Sequence, residues 1–202
     1  MSSNKLILTD VDGVCLNWEY AFHIWMDSKG HTPSVVDPGL FWSLAKQYGI
    51  TDEHAMSFVE QFNESAAIGF IPALRDAHEY IRKLNKEHGY TFHAITSLSS
   101  DPHAGKLRRM NLDKVFGPGI FEHVECLSLG SPKKEYLRQF EGKGLYWLED
   151  SITNATDGLE LGLKPILMEH GYTMHFSHPE IPRVKNWEEI YNLIINYKDQ
   201  AA

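Results

Sequence analysis

Short apolar runs alternate along the chain with stretches in which apolar residues recur at helical spacing. Leu6-Ile7-Leu8, Phe92-His93-Ala94-Ile95, Val124-Glu125-Cys126-Leu127, Leu145-Tyr146-Trp147-Leu148 and Pro165-Ile166-Leu167-Met168 read as five short, mostly buried strands. The helical stretches between them are punctuated. Asp101-Pro102 and Ser131-Pro132 each pair an N-cap type with proline at the first helical position, and Asn186 caps a helix running through Trp187, Ile190 and Ile194. Strands alternating with helices predict parallel crossovers, hence an α/β core built on a doubly wound, Rossmann-like parallel sheet.

The interval between the first run and the second breaks this rhythm, because it carries no strand signal. It reads as helices: Asn17 to Gly30 with a cap at each end, Pro38 to Gly49, an amphipathic stretch from Thr51 to about Ser65, and Pro72 to Gly89 with Leu74, Ala77, Ile81 and Leu84 on one stripe. A connection that long is an insertion or a module of its own. The expected organisation is a core of residues 1–16 and 72–202, with residues 17–71 as a small all-helical cap and Pro72 to Gly89 returning the chain to the sheet.

Composition bounds the partners. A chain of 202 residues, 43% hydrophobic and 12% aromatic, buries one substantial core with enough left for a modest second module. A net charge of -8 argues against a nucleic-acid polymer or an anionic membrane as main partner, since both reward a basic face. Any phosphate is then bound locally. Cys15 and Cys126 offer neither a disulfide framework nor metal-ligand spacing and read as buried small hydrophobes, which suits a reducing cytoplasm. The apolar run before Asp10 is too short for a signal peptide and no run approaches bilayer length, so the expected location is the cytoplasm. The histidines His170, His175 and His178 lack a compact ligand pattern, and these three, with His23, His54 and His78, read as surface or packing residues.

Ligands of open parallel sheets bind beyond the carboxyl ends of the strands. At that end the first run delivers Asp10 and Asp12, the second Thr96 and Ser97, the third leads into Ser131-Pro132-Lys133-Lys134, and the fourth delivers Glu149 and Asp150. Each has an ordinary reading alone: Asp-Gly is common in turns, and Glu149-Asp150 before Ser151 is a capping stretch. Together they converge acids, hydroxyls and a lysine on one sheet edge, which packing does not explain. Clustered carboxylates raise one another's pKa unless a cation compensates, and oxygen ligands suit Mg2+. Lys133 is preferred to Lys134 for its spacing from Leu137 along the helix.

These segments, "DVDGV" at 10 to 14, "AITS" at 94 to 97, "SPKK" at 131 to 134 and "WLEDS" at 147 to 151, resemble in order the four motifs of the haloacid dehalogenase superfamily of aspartate-nucleophile phosphohydrolases. The resemblance implies Asp10 as nucleophile and Asp12 as general acid and base. It implies phosphoryl binding at Thr96 and Ser97, with Lys133 steadying phosphate and nucleophile. Mg2+ would be held by the Asp10 and Asp150 carboxylates and the Asp12 backbone carbonyl, supported from behind by Glu149 and Asn154. Those last two depart from the family, which often has aspartate at the first and a further acid at the second. The implied reaction is hydrolysis of a small phosphorylated metabolite. Physical chemistry supports that division of labour: a carboxylate approaching a phosphate dianion needs cations to offset the repulsion, and Gly13 lets the chain turn so that Asp12 reaches the site.

Two branches are resembled more closely. A helical cap followed by a "TS" second motif is similar to the deoxyribonucleotidases, whose cap aromatics stack on the base; this implies a nucleoside 5'-monophosphate and makes Phe22, Trp25 and Trp42 candidates for stacking as well as for cap core. "TDGLELGLKPI" after the fourth motif resembles the beta-phosphoglucomutases and implies a phosphomutase as the alternative. A non-catalytic metal- or phosphate-binding protein is the third reading, which intact Asp10 and Asp12 oppose.

Overall fold

The computed structural model describes residues 5–199. Six parallel strands form one sheet in the order β3-β2-β1-β4-β5-β6: β1 (Leu6–Thr9), β2 (Thr91–Ser97), β3 (Phe121–Leu127), β4 (Tyr146–Glu149), β5 (Lys164–Met168) and β6 (Arg183–Val184). Five coincide with the apolar runs. β6 was not expected, because two residues carry no periodicity. β3 starts three residues earlier than its apolar run, since this edge strand exposes Glu122 and His123 and so looks polar in sequence.

The chain steps outward from β1 through β2 to β3, then crosses to the other side of β1 for β4, so the topology reverses at β1. The register pairs Thr9 with both Ala94 and Leu148, so the carboxyl ends of β1 and β4 nearly coincide while β2 runs on to Ser97. Such a reversal opens a crevice at the strand ends.

Eight α-helices surround the sheet or lie in the insert: α1 (Trp18–Ser28), α2 (Leu44–Tyr48), α3 (Asp52–Asn63), α4 (Ala77–His88), α5 (Pro102–Phe116), α6 (Lys133–Leu137), α7 (Ile152–Glu160) and α8 (Trp187–Asp199). Asn17, Ser43, Thr51, Asp101 and Ser151 accept backbone N–H groups as N-caps, and Asn186 accepts from the Glu189 amide. Each satisfies a donor that the first helical turn leaves open.

Three expected helices begin elsewhere. Pro38 to Gly49 divides into a 3₁₀ turn at Pro38–Leu40 and α2, because Ser43 starts a new helix. Pro72 leads into extended chain rather than helix: Asn17 N donates to Pro72 O, Leu74 N donates to Cys15 O, and Ala73 bridges Leu16, so α4 waits until Ala77. Ser131 does not cap α6; Pro132 occupies that position with no side-chain cap, while the Ser131 amide closes a turn onto Ser128 O.

Residues 17–71 are helical throughout their ordered elements, ending in a 3₁₀ segment at Ala66–Phe70. Phe22 anchors this insert, stacked on Trp18 at 4.7 Å and meeting the edges of Phe62 at 5.5 Å and Tyr48 at 6.1 Å. Full burial of such a ring is worth about 1.5–3 kcal/mol. Phe22, Met26 and Phe62 belong to the same buried cluster as Ile7, Val11 and Val14, so one apolar core runs from the insert into the sheet. Among the described residues no helix is long and apolar enough to cross a membrane.

Candidate active site

The turn after β1 builds the centre. Asp10 N donates to Leu148 O of β4 at 2.8 Å, and Cys15 N and Leu16 N both donate to Val11 O, closing a tight loop over residues 11–16. Gly13 has φ +78°, and a Cβ placed there would lie 2.2 Å from Asp150 Oδ2. Only glycine meets both demands, the left-handed backbone and the close approach of the first loop to the end of β4. Thr9 Oγ1 and Cys15 Sγ both donate to the Asp10 carbonyl, at 2.6 and 3.3 Å, and pin it from below. That Cys15 role is additional to the packing expected of it, and both cysteines are free.

Around this loop the strand ends assemble a charged cluster. Lys133, at the first position of α6, is 4% exposed and reaches Asp10 Oδ1 at 2.8 Å and Glu149 Oε1 at 2.7 Å. Lys134 instead turns to Asp157 and Glu160, so the geometry separates the two lysines. Burial pushes Asp10 up to about 7 against the opposing charge of Lys133, with Glu149 and Asp12 adding to the rise. Asp150 is raised by burial and by Glu149 and Asp10. Burial alone would depress Lys133, but Asp10 and Glu149 outweigh it and hold its pKa above the ordinary lysine range.

Oxygens of Asp10, Glu149 and Asp150 lie within 4.8 Å of one another. Glu149 is already spent: Oε1 accepts from Lys133 and from Asn154 Nδ2 at 2.9 Å, and Oε2 accepts from the amides of Asp150 and Ser151 at 2.9 and 2.7 Å. Asp10 and Asp150 are the carboxylates left to face a cation. Three acids against one lysine leave an excess of buried negative charge, and a hard divalent ion with oxygen ligands fits that deficit. Asp12 stands at the mouth, one-fifth exposed, with Thr96 Oγ1 at 3.5 Å from its Oδ2. Ser97 closes β2 in a half-buried position and makes no side-chain hydrogen bond to this group.

Similar proteins share the fold of this chain. No family model matches the chain. An uncharacterised 32.4 kDa protein from the Gp30-rIII intergenic region of Enterobacteria phage T4 is 27% identical over 204 residues, covering 96% of this chain and 70% of that protein. Solved structures align over nearly the full length. A Had-superfamily hydrolase from Ehrlichia chaffeensis superposes with a TM-score of 0.59 at 17% identity, covering 97% of this chain and 98% of that one. The HAD-hydrolase YfnB from Bacillus subtilis, bound to magnesium, gives 0.60 at 16% identity over 94% and 98%. D,D-heptose 1.7-bisphosphate phosphatase from B. bronchiseptica, complexed with magnesium and phosphate, gives 0.59 at 12% identity over 95% and 98%. The chain has the haloacid dehalogenase fold.

Within this fold the three aromatic candidates of the insert part company. Phe22 is fully buried in the insert's aromatic cluster and presents no face to a ligand, which corrects its assignment as a stacking candidate. Trp25 is likewise packed, edge-on to Phe58 and Phe62 with Lys29 Nζ 4.5 Å above its ring. Trp42 differs. It is 64% exposed and meets the Tyr172 ring edge-on at 4.9 Å, and Tyr172 O–H donates to Asp150 Oδ2 at 2.7 Å.

Three residues that border the Asp10 cluster carried no site role in the sequence. Arg108, on α5, is fully buried; its Nη2 donates to Asp12 Oδ2 at 2.7 Å, and its Nη1 stands 2.7 Å from Oδ1 as an ion-pair contact without hydrogen-bond geometry. Its signal was a charged residue on the helical stripe of Ala104 and Leu112. Tyr172 follows β5, and asking what the fifth strand delivers at its carboxyl end would have found it. His170, read as a packing residue, stacks parallel on Tyr172 at 5.1 Å and its Nε2 meets the Gly13 carbonyl at 2.7 Å; burial lowers its pKa. His175 and His178 join no group of metal-ligating side chains among the described residues.

Proposed function

We propose that this chain is a Mg2+-dependent phosphohydrolase that cleaves small phosphomonoesters through a phosphoaspartate on Asp10. The observation that carries this reading is the Asp10 carboxylate held on one oxygen by a buried lysine, with Asp12, Thr96 and Asp150 around it. Asp10 and Asp150, with the Asp12 backbone carbonyl, would hold the ion, which when bound neutralises charge on the phosphoryl oxygens. The magnesium-bound neighbours of the same fold support that assignment.

Asp10 attacks phosphorus in line as the ester P–O bond breaks, and Asp12 gives its proton to the departing oxygen. Asp12, now a carboxylate, takes a proton from water, and the resulting hydroxide attacks phosphorus and frees phosphate and Asp10. Lys133 offsets the repulsion between the Asp10 carboxylate and the incoming phosphate. Thr96 offers its hydroxyl to a phosphoryl oxygen. Trp42 favours a substrate with a planar face, and a nucleoside 5'-monophosphate is the specific form of the proposal.

Release of phosphate from p-nitrophenyl phosphate tests the reading. Mg2+ should support turnover, EDTA should silence it, and Asp10→Asn should abolish it with the thermal transition kept, because an amide is nearly isosteric but a poor nucleophile. Asp10→Asn activity within a few fold of the natural chain refutes the nucleophile. Sugar-phosphate isomerisation that requires a bisphosphate would identify a mutase instead, and Mg2+ binding without any turnover a binding protein.

A further inference from the structure

A buried arginine gripping the proposed acid and base has a geometric consequence of its own. Arg108 projects from α5, an element outside the four motif segments, and has no exposure to water. Its Nη2 donates to Asp12 Oδ2 at 2.7 Å and its Nη1 lies 2.7 Å from Oδ1 as an ion-pair contact without hydrogen-bond geometry, so neither Nη1 nor Nε has a hydrogen-bond partner among the described residues. Asp12 is therefore the group that accounts for this buried cation.

The two contacts distinguish the oxygens of Asp12. Oδ1 is sealed from solvent on the side of Arg108 Nη1, although Asp12 as a whole is one-fifth exposed. Oδ2 takes the other arm and lies beside the Thr96 hydroxyl at 3.5 Å. A planar guanidinium that donates to one oxygen and stands at ion-pair distance from the other restricts rotation of the carboxylate more than an ammonium would. Without it, the side chain of a residue next to Gly13 is free to rotate about its χ angles.

We propose that Arg108 is a positioning residue for proton transfer: it locks Asp12 so that Oδ2, next to Thr96, is the oxygen that gives a proton to the leaving group and takes one from water. This rests on the phosphohydrolase reading above. The proton balance is that of the two half-reactions already described, with Oδ2 as the atom that loses and regains the proton. Arg108 itself neither gains nor loses one.

The test is a kinetic double-mutant cycle on the full chain with Mg2+, using glycerol 2-phosphate, whose alkoxide needs a proton, and p-nitrophenyl phosphate, whose leaving group needs little. Misplaced catalytic groups lose up to about 10²-fold, so R108M should lower kcat on the alkyl ester about ten-fold or more with KM nearly unchanged, and lower it less on the aryl ester. R108K should recover part of the loss, since it restores charge but not the two-point contact with both oxygens. In a D12N background R108M should change kcat by less than about two-fold, because positions acting through one another are not additive. Should R108M fail to fold, R108K against the natural chain and D12N/R108M against D12N carry the same comparison. A kcat kept within two-fold, or an equal loss with and without Asp12, overturns the inference while leaving the hydrolase reading intact. Absence of turnover by the natural chain on both esters overturns the two together.

Discussion

Gly13 shows how far a single residue governs the site. Any Cβ there meets Asp150 Oδ2 at 2.2 Å, and the φ of +78° is costly for other residues. Gly13→Ala should therefore act twice. Backbone strain of this kind costs about 1–3 kcal/mol, visible as a lowered denaturant midpoint. Asp150 must also swing away, which should weaken Mg2+ binding by calorimetry at least several-fold. An alanine variant with unchanged stability and Mg2+ affinity would mean that the loop has room the coordinates deny. At this scale the sequence was most legible where a residue type is chemically unusual for its place: Asp10, Asp12 and Asp150 are charges at the ends of apolar runs, and Lys133 is a cation in the first turn of a helix. Glu149 was equally visible, and its four hydrogen bonds explain its supporting place. Arg108 was hidden because one arginine among the basic residues of α5 looks like a solvated face until the helix is rotated onto the sheet.

Elements were legible in proportion to how deeply they are buried. β1, β2, β4 and β5 announce themselves as continuous apolar runs because both faces of a central parallel strand are covered. The edge strands are different: β3 shows Glu122 and His123 to water, and β6 has only two residues. The β2–β3 pair also carries an acid-sensitive contact. His93 pairs with His123 across the strands, their rings 4.3 Å apart, and burial with the neighbouring imidazole lowers the His93 pKa to about 4. An unfolded histidine titrates near 6.5, so between about pH 6.5 and 4 the unfolded chain binds the extra proton. Stability contributed by neutral His93 is complete above that window and is lost as pH falls through it. His93→Gln should flatten the acid limb: urea midpoints of the variant should fall less than those of the natural chain between pH 6.5 and 4.5. Parallel acid limbs for the two proteins would remove His93 as a cause.

The α3 helix makes a second argument at this scale, for how the insert is tied down. Asn63 accepts from Trp18 Nε1 at 3.0 Å and donates to Leu98 O at 2.9 Å, just past the end of β2. One amide thus joins two helices of the insert to the sheet beside Thr96. Asn63→Ala leaves a donor and an acceptor unpaired, at a cost of about 1–3 kcal/mol for each that stays buried. Calorimetric melting should show that loss. The proximity of Leu98 to the second motif predicts a fall in kcat/KM as well; a variant as stable and as active as the natural chain would show that the insert does not depend on this link.

On the scale of the whole molecule, the insert and the sheet enclose the Asp10 carboxylate. Asp10 is 7% exposed, one apolar core runs through both parts, and the 3₁₀ turn at Pro38–Leu40 abuts the loop of Tyr172, where a Cβ on Gly171 would strike Gly39 O at 2.5 Å. On the proposed function, such a centre should admit a small phosphate ester and exclude a folded phosphoprotein, in the way that lids restrict access to other sites. On the proposed function Trp42, exposed and edge-on to Tyr172, is the aromatic that would meet the rest of the substrate. A base resting on an aromatic ring gains about 1–3 kcal/mol, so Trp42→Ala should cut kcat/KM for dUMP, dTMP and AMP by roughly 5- to 150-fold while leaving ribose 5-phosphate nearly unaffected. Phe22→Ala, by contrast, should cost stability of about 3–5 kcal/mol and leave the ranking of substrates alone, because the ring faces the core. Ribose 5-phosphate equalling every nucleotide, with Trp42→Ala changing none of the ratios, would remove the stacking role and the nucleotide with it. The phosphohydrolase reading would survive that result, since it rests on Asp10, Lys133 and Asp150 and not on the insert.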